Sequence, residues 1–242
     1  MSFTVTYYID MACPTIEKSI EMIGKYIERG AKAFQIDMPS HDPYGETDFI
    51  KKMMHDALEA HPDYDYYMDG FRTIRKLHPE ARLSIVVYKD VIDQIGIEKF
   101  TDFCNEIGMF SVRLAGKDDR VAYTDYMTAH GLACQEGVGY YMPEADIQRA
   151  IACNCVVQMR SKRVTEELNP QYDTWEKRVG YLRQRGITKP ILAIADMKTA
   201  ADLIAAREGG ADGVIVGNAL MQLWENEEEL WKKFDEFQGT QR

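Results

Sequence analysis

Short β-rich runs alternate with amphipathic helical stretches along the whole chain, and no other feature restricts its possible folds as much. β-rich runs occupy 3–10, 33–38, 83–88, 109–114, 132–135, 155–159, 191–195 and 214–216. Between them the pattern predicts helices over 14–29, 46–60, 67–76, 97–107, 121–130, 144–152, 172–185 and 199–208. A last helix carries Leu220, Leu223, Trp224, Leu230, Trp231 and Phe234. In the first helix Ile16, Ile20, Ile23 and Ile27 recur at helical spacing, and Gly30 follows as a stop. Strands joined through helices pair in parallel, because the crossover needs a dozen or more residues and takes one hand. Eight such units close into a (β/α)8 TIM barrel, an α/β fold expected to fill 1–242 as a single domain. An open doubly wound sheet is the alternative; no G-x-G-x-x-G follows the first strand to support it.

The 242 residues suffice for a large core without staples, and 11% aromatic content with 8 Pro and 17 Gly excludes a disordered chain. The balance of 29 basic against 39 acidic residues, a net charge of −10, argues against nucleic acid or an anionic membrane as partner. No apolar run reaches the ~18 residues of a membrane span. Met1-Ser2-Phe3-Thr4 has no basic lead-in to a secretory signal, so a cytoplasmic protein is expected. The five cysteines, Cys13, Cys104, Cys134, Cys153 and Cys155, match neither a zinc spacing nor a C-x-x-C pair and read as reduced thiols. No cofactor or metal is expected. Asp10, Asp37 and Glu136 are a conceivable metal set, but single carboxylates on separate strands are common structural features. The acidic run 225–229 reads as a solvated helix face.

In a barrel the active site lies at the carboxyl ends of the strands. The polar residues expected there include Asp10, Gln35, Asp37, Glu46, Lys89, Arg113, Lys117, Arg163, Asp196, Gly217 and Asn218. Such a mixed-charge rim suits acid–base chemistry on a small polar or anionic substrate. Along strand 2, alternation sets Gln35 and Asp37 on the interior face and Phe34, Ile36 and Met38 on the other. Desolvation would raise the Asp37 carboxyl unless Lys89 pairs with it. Lys89 is either that partner or a desolvated amine able to form a Schiff base. In Ala211-Asp212-Gly213-Val214-Ile215-Val216-Gly217-Asn218-Ala219 a strand runs through Gly217 into a helix start. That geometry favours a phosphate or carboxylate on Gly217 and Asn218, with charge added by Lys162 and Arg163.

At these residues the chain resembles the tryptophan synthase alpha-subunit family, over roughly 7–234. Pro14-Thr15 resembles the family's Asp-Pro-Thr turn, with Cys13 at the Asp. Gln35-Ile36-Asp37-Met38-Pro39-Ser40-His41-Asp42-Pro43 resembles Glu-Leu-Gly-x-Pro-Phe-Ser-Asp-Pro, and 210–219 resembles Gly-Ala-x-Gly-x-x-x-Gly-Ser-Ala. The resemblance implies a lyase that cleaves indole-3-glycerol phosphate to indole and glyceraldehyde 3-phosphate in tryptophan biosynthesis. It also implies a pyridoxal-phosphate β-type subunit as partner. It places Gln35 at the family's strand 2 Glu, where an amide cannot transfer a proton. Glu46 falls at the catalytic loop Asp. Arg163-Val164-Thr165-Glu166 falls on the Gly-Val-Thr-Gly phosphate loop, without its glycines and with an added carboxylate. The family's catalytic and phosphate-binding positions have changed while the scaffold pattern persists. This implies a member with an altered anionic substrate, catalysing through Glu46 and Asp37, or an inactive, binding or regulatory one. An isomerase or Schiff-base aldolase using Lys89 is the other enzymatic reading.

Overall fold

A computed structural model describes residues 3–116, 120–163, 165–195 and 197–241. Its elements run β1 (Thr4–Asp10), α1 (Ile16–Glu28), β2 (Ala33–Asp37), α2 (Asp48–Ala60), α3 (Tyr64–Leu77), β3 (Arg82–Tyr88), α4 (Lys89–Ile95), α5 (Ile97–Glu106), β4 (Ser111–Ala115) and α6 (Val121–Ala129). They continue β5 (Glu136–Val138), α7 (Glu144–Ala152), β6 (Val157–Arg160), α8 (Trp175–Gln184), β7 (Ile191–Ile194), α9 (Ala200–Glu208), β8 (Gly213–Val216), α10 (Asn218–Met221) and α11 (Glu227–Gly239). The strands form one sheet in the order β4-β3-β2-β1-β8-β7-β6-β5, and the paired ladders are parallel. This is the expected (β/α)8 arrangement. No helix among the described residues is long and apolar enough to cross a membrane.

The chain divides into two compact units, 8–134 and 1–7 with 135–242. In the first, β2 and β3 are in register from Ala33 opposite Arg82 to Asp37 opposite Val86, and β3 pairs β4. Both faces of these strands are covered: Phe34, Ile36, Leu83, Ile85 and Val87 are buried on one, and Gln35, Asp37, Ser84 and Val86 on the other, as parallel strands between helices require. Thr15 caps α1 by accepting from the Lys18 N–H, and Thr47 caps α2 by accepting from the Ile50 N–H. Gly70 on α3 admits α1 closely: a Cβ there would stand 3.1 Å from Ile16 Cγ2.

In the second unit β1 pairs β8 from Thr4 opposite Gly213 to Tyr7 opposite Val216, and β7 flanks β8. Gly213 is dictated by this crowding, since a Cβ would lie 2.4 Å from the Thr4 carbonyl oxygen and 2.9 Å from Leu192 Cδ2. Tyr7 stacks on Phe234 of α11 with ring centroids 4.8 Å apart. Thr199 and Asp202 form a capping box at the start of α9.

Three sequence expectations need correction. The fifth strand is Glu136–Val138, not 132–135; of the expected segment, Cys134 makes only an isolated bridge to Val112. Its place is set by the ladder to β6, Glu136 opposite Val157 through Val138 opposite Met159, which local pattern cannot register. An unforeseen helix, α4, follows β3 directly. The last helix is two: α10 ends at Met221, and Asn226 starts α11 by accepting from the Glu229 N–H. Glu227, Glu228 and Glu229 are exposed in the first turn of α11, where the helix dipole favours them.

Candidate active site

The carboxyl ends of β1, β2 and β3 converge on one carboxylate. Asp37 ends β2 and is fully buried. Its Oδ2 accepts a hydrogen bond from the Tyr8 hydroxyl at 2.6 Å and another from the Tyr88 hydroxyl at 2.9 Å. The Tyr88 hydroxyl also lies 3.4 Å from Glu46 Oε1. The Met11 N–H donates to the Asp37 carbonyl at 3.0 Å, which sets the end of β1 beside the end of β2. Asp10 stands two residues beyond Tyr8 on the same strand face and is 1% exposed. Among the described residues, neither Asp10 carboxylate oxygen nor Asp37 Oδ1 has a hydrogen-bond partner.

Burial, and then the field of Glu46, hold the Asp37 carboxyl well above the usual carboxylate range, against the lowering effect of the two tyrosine hydrogen bonds. Burial, then Asp37, then Glu46 raise Asp10 in the same direction. Burial and the same carboxylates push both tyrosines up, so their phenols stay protonated donors. Burial and Asp10 push the Cys13 thiol to about 12, so it is no nucleophile.

Glu46 is half-buried on the β2–α2 loop, which is pinned from α4. The Asp90 carboxylate accepts from the Ser40 hydroxyl at 2.8 Å and from the His41 N–H at 3.0 Å. The Ser40 hydroxyl accepts from the Asp42 N–H, and the Tyr64 hydroxyl donates to the Pro39 carbonyl. Sequence reasoning missed Asp90 together with the helix that carries it. It also missed Tyr8 and Tyr88 as the donors to Asp37; the available signal was a tyrosine at the interior end of each flanking strand.

Lys89 is not the partner of Asp37. It lies on α4, bonds Asp93 at 2.6 Å and sits over the Tyr123 ring. An ammonium so held is unlike the desolvated amine a Schiff base requires. Gln35 is buried one pleat below Asp37, opposite Ser84. Arg113 is half-buried on β4 and donates to the Leu114 carbonyl. Lys117, Val164 and Asp196 lie outside the described residues.

In the second unit, the loop after β6 folds onto its own carboxylate. Glu166 accepts from the Arg160 guanidinium at 2.5 and 3.2 Å and from the Arg163 N–H at 2.6 Å. The Lys162 ammonium donates to the Arg163 and Glu166 carbonyls, so it serves the loop itself. The Arg163 residue is exposed. Buried Arg178 supports the strand end by donating to the Arg160 carbonyl at 2.9 Å, its guanidinium 3.8 Å from the Trp175 ring centroid. At the end of β8, Gly217 precedes the single turn of α10, and its carbonyl accepts from the Leu220 and Met221 N–H groups. Among the described residues, the three-residue set spaced for a metal is His55, Asp56 and Glu59, exposed on α2 and not among the expected candidates.

The profile of the tryptophan synthase alpha chain family matches residues 3–241. A tryptophan synthase alpha chain from Edwardsiella ictaluri is 25% identical over 224 residues, 89% of this chain and 82% of that one. One from Buchnera aphidicola is 28% identical over 108 residues; that match spans 45% of this chain and only 40% of the relative. Among solved structures, a tryptophan synthase complex from Pyrococcus furiosus superposes with a TM-score of 0.82 at 16% identity, covering 98% of each chain.

Proposed function

The chain belongs to the tryptophan synthase alpha chain family, and on that premise we propose that it is a lyase cleaving a carbon–carbon bond in a small anionic substrate by acid–base catalysis. The observation that carries this reading is the buried Asp37 carboxyl held between the Tyr8 and Tyr88 hydroxyls, with Glu46 beside Tyr88. Cleavage next to an aromatic or carbonyl carbon needs a proton delivered to one fragment and removed from the other. A carboxyl raised by burial supplies a proton near neutrality, and the half-buried Glu46 on its pinned loop takes one. Gln35 lacks a proton to transfer and serves to bind and orient. In the second unit, taken by itself, Gly217, Asn218 and the Arg163 loop are proposed to bind an anion. The pairing of Arg160 with Glu166 argues that this loop binds differently from a glycine loop.

A pyridoxal-phosphate β-type subunit is proposed as partner; the likeness to a solved tryptophan synthase complex supports it. The test is indole release from indole-3-glycerol phosphate by the wild type, Asp37→Asn and Glu46→Gln. Loss of one acid–base group is expected to lower the rate by ~10²–10⁴. Full turnover in both variants would overturn the assignment of these carboxylates. An inert wild type would remove the family's substrate.

A further inference from the structure

Asp10, which the proposed lyase chemistry does not use, shares with Asp37 an imbalance of donors and acceptors. A carboxylate is an acceptor, and buried acceptors are normally matched by donors. Among the described residues, Asp37 Oδ2 has two donors, whereas Asp37 Oδ1 and both oxygens of Asp10 have none. Both side chains are buried, at 0% and 1% exposure, at the ends of neighbouring strands. Asp10 shares its strand face with Tyr8, whose hydroxyl reaches Asp37, and the field of Asp37 acts on Asp10. Among the described residues, the titratable groups that share a field with Asp10 are Asp37, Glu46, Cys13, Tyr8, Tyr67 and Tyr88, none of them basic.

We propose that this centre binds its ligand through an organic cation with two or more N–H donors, a primary ammonium or amidinium seated on Asp10. Such a group supplies several donors and the charge that the surrounding side chains lack. The proposal rests on reading this cluster as the active centre, and it names a class of group on the ligand.

Burial and the fields of Asp37 and Glu46 raise the Asp10 carboxyl and so favour its protonated form in the free protein. Seating an ammonium there favours the carboxylate, and the proton this displaces leaves to solvent. The binding is therefore linked to proton release. The experiment is calorimetric titration of the whole chain with benzylamine and with uncharged benzyl alcohol, at neutral pH, in Pipes and in Hepes. Benzylamine is expected to bind about tenfold or more tightly than the alcohol, with a buffer-dependent heat that reports proton release. Asp10→Asn is expected to remove that preference and the proton release. Equal affinity for amine and alcohol, no benzylamine binding at millimolar concentration, or an unchanged preference in Asp10→Asn would overturn the proposal. Should Asp10→Asn fail to fold, the wild-type affinity ratio and proton release still decide. No turnover is measured, so failure here leaves the lyase reading intact, and failure of the Asp37 and Glu46 variants leaves the amine site intact.

Discussion

Removing the Tyr8 and Tyr88 hydroxyls one at a time isolates what sets the Asp37 carboxyl. Each phenol donates to Oδ2, at 2.6 and 2.9 Å. A hydrogen bond to a charged group contributes about 1.5–3 kcal/mol. At 1.36 kcal/mol per tenfold, Tyr8→Phe or Tyr88→Phe weakens ionisation of Asp37 by about 10- to 150-fold. The direction is upward, because both bonds favour the carboxylate and burial already opposes it. The shorter Tyr8 bond is expected to matter more in the protein, although Tyr8 is half-buried and water can replace part of its contact. The assay is carbon-13 NMR titration of the side-chain carboxyls, with Asp37 assigned by the resonance missing from Asp37→Asn. The midpoint should rise in each single variant and further in the double. A double variant with the wild-type midpoint would refute the view that these phenols set the acid. A fall would show that burial is not the dominant cause.

Asp10→Asn is expected to stabilise the protein at neutral pH. Folding raises the Asp10 carboxyl above its unfolded value, so its contribution is fully present in acid and is lost as pH rises through the folded value; denaturant titrations across pH should show a shallower loss in the variant. Glu166→Gln has the opposite pH sense. Burial alone would raise this carboxyl, but the Arg160 and Arg163 hydrogen bonds outweigh it and lower it. Its stabilising effect is therefore present above the unfolded value and lost as pH falls, and the variant should cost about 1–3 kcal/mol at neutral pH, read by urea unfolding. Gly213→Ala drives a Cβ toward the Thr4 carbonyl and Leu192; overpacking of this kind costs about 1–3 kcal/mol, and an unchanged melting temperature would contradict the close approach of β8 to β1 and β7.

Most of the architecture was legible from the sequence because helices and their ends are recorded at short range. Ile16 and Ile23 are buried on α1 at the spacing that marked them, and the turn glycine Gly30 follows. Asp37 was legible as an interior carboxylate because strand alternation is a property of adjacent residues. Its partners were not. Tyr8 lies 29 positions before it and Tyr88 51 after it, and only the parallel pairing of strands brings those rings to one oxygen. Lys89, which the strand pattern offers as a counter-charge for Asp37 or as a desolvated amine, starts α4 instead, and its ammonium meets Asp93 one turn on. The placement of β5 and the division of the last helix were decided in the same way, by a ladder to β6 and by the side chain of Asn226. The folding of Glu166 back onto Arg160 is likewise a tertiary outcome. Sequence alone determined the order of elements and which strand ends carry acids, since periodicity and turn chemistry act over a few residues. Which donors and counter-charges those acids meet was left to the tertiary structure, because hydrogen bonds and fields act across space between residues far apart in the chain.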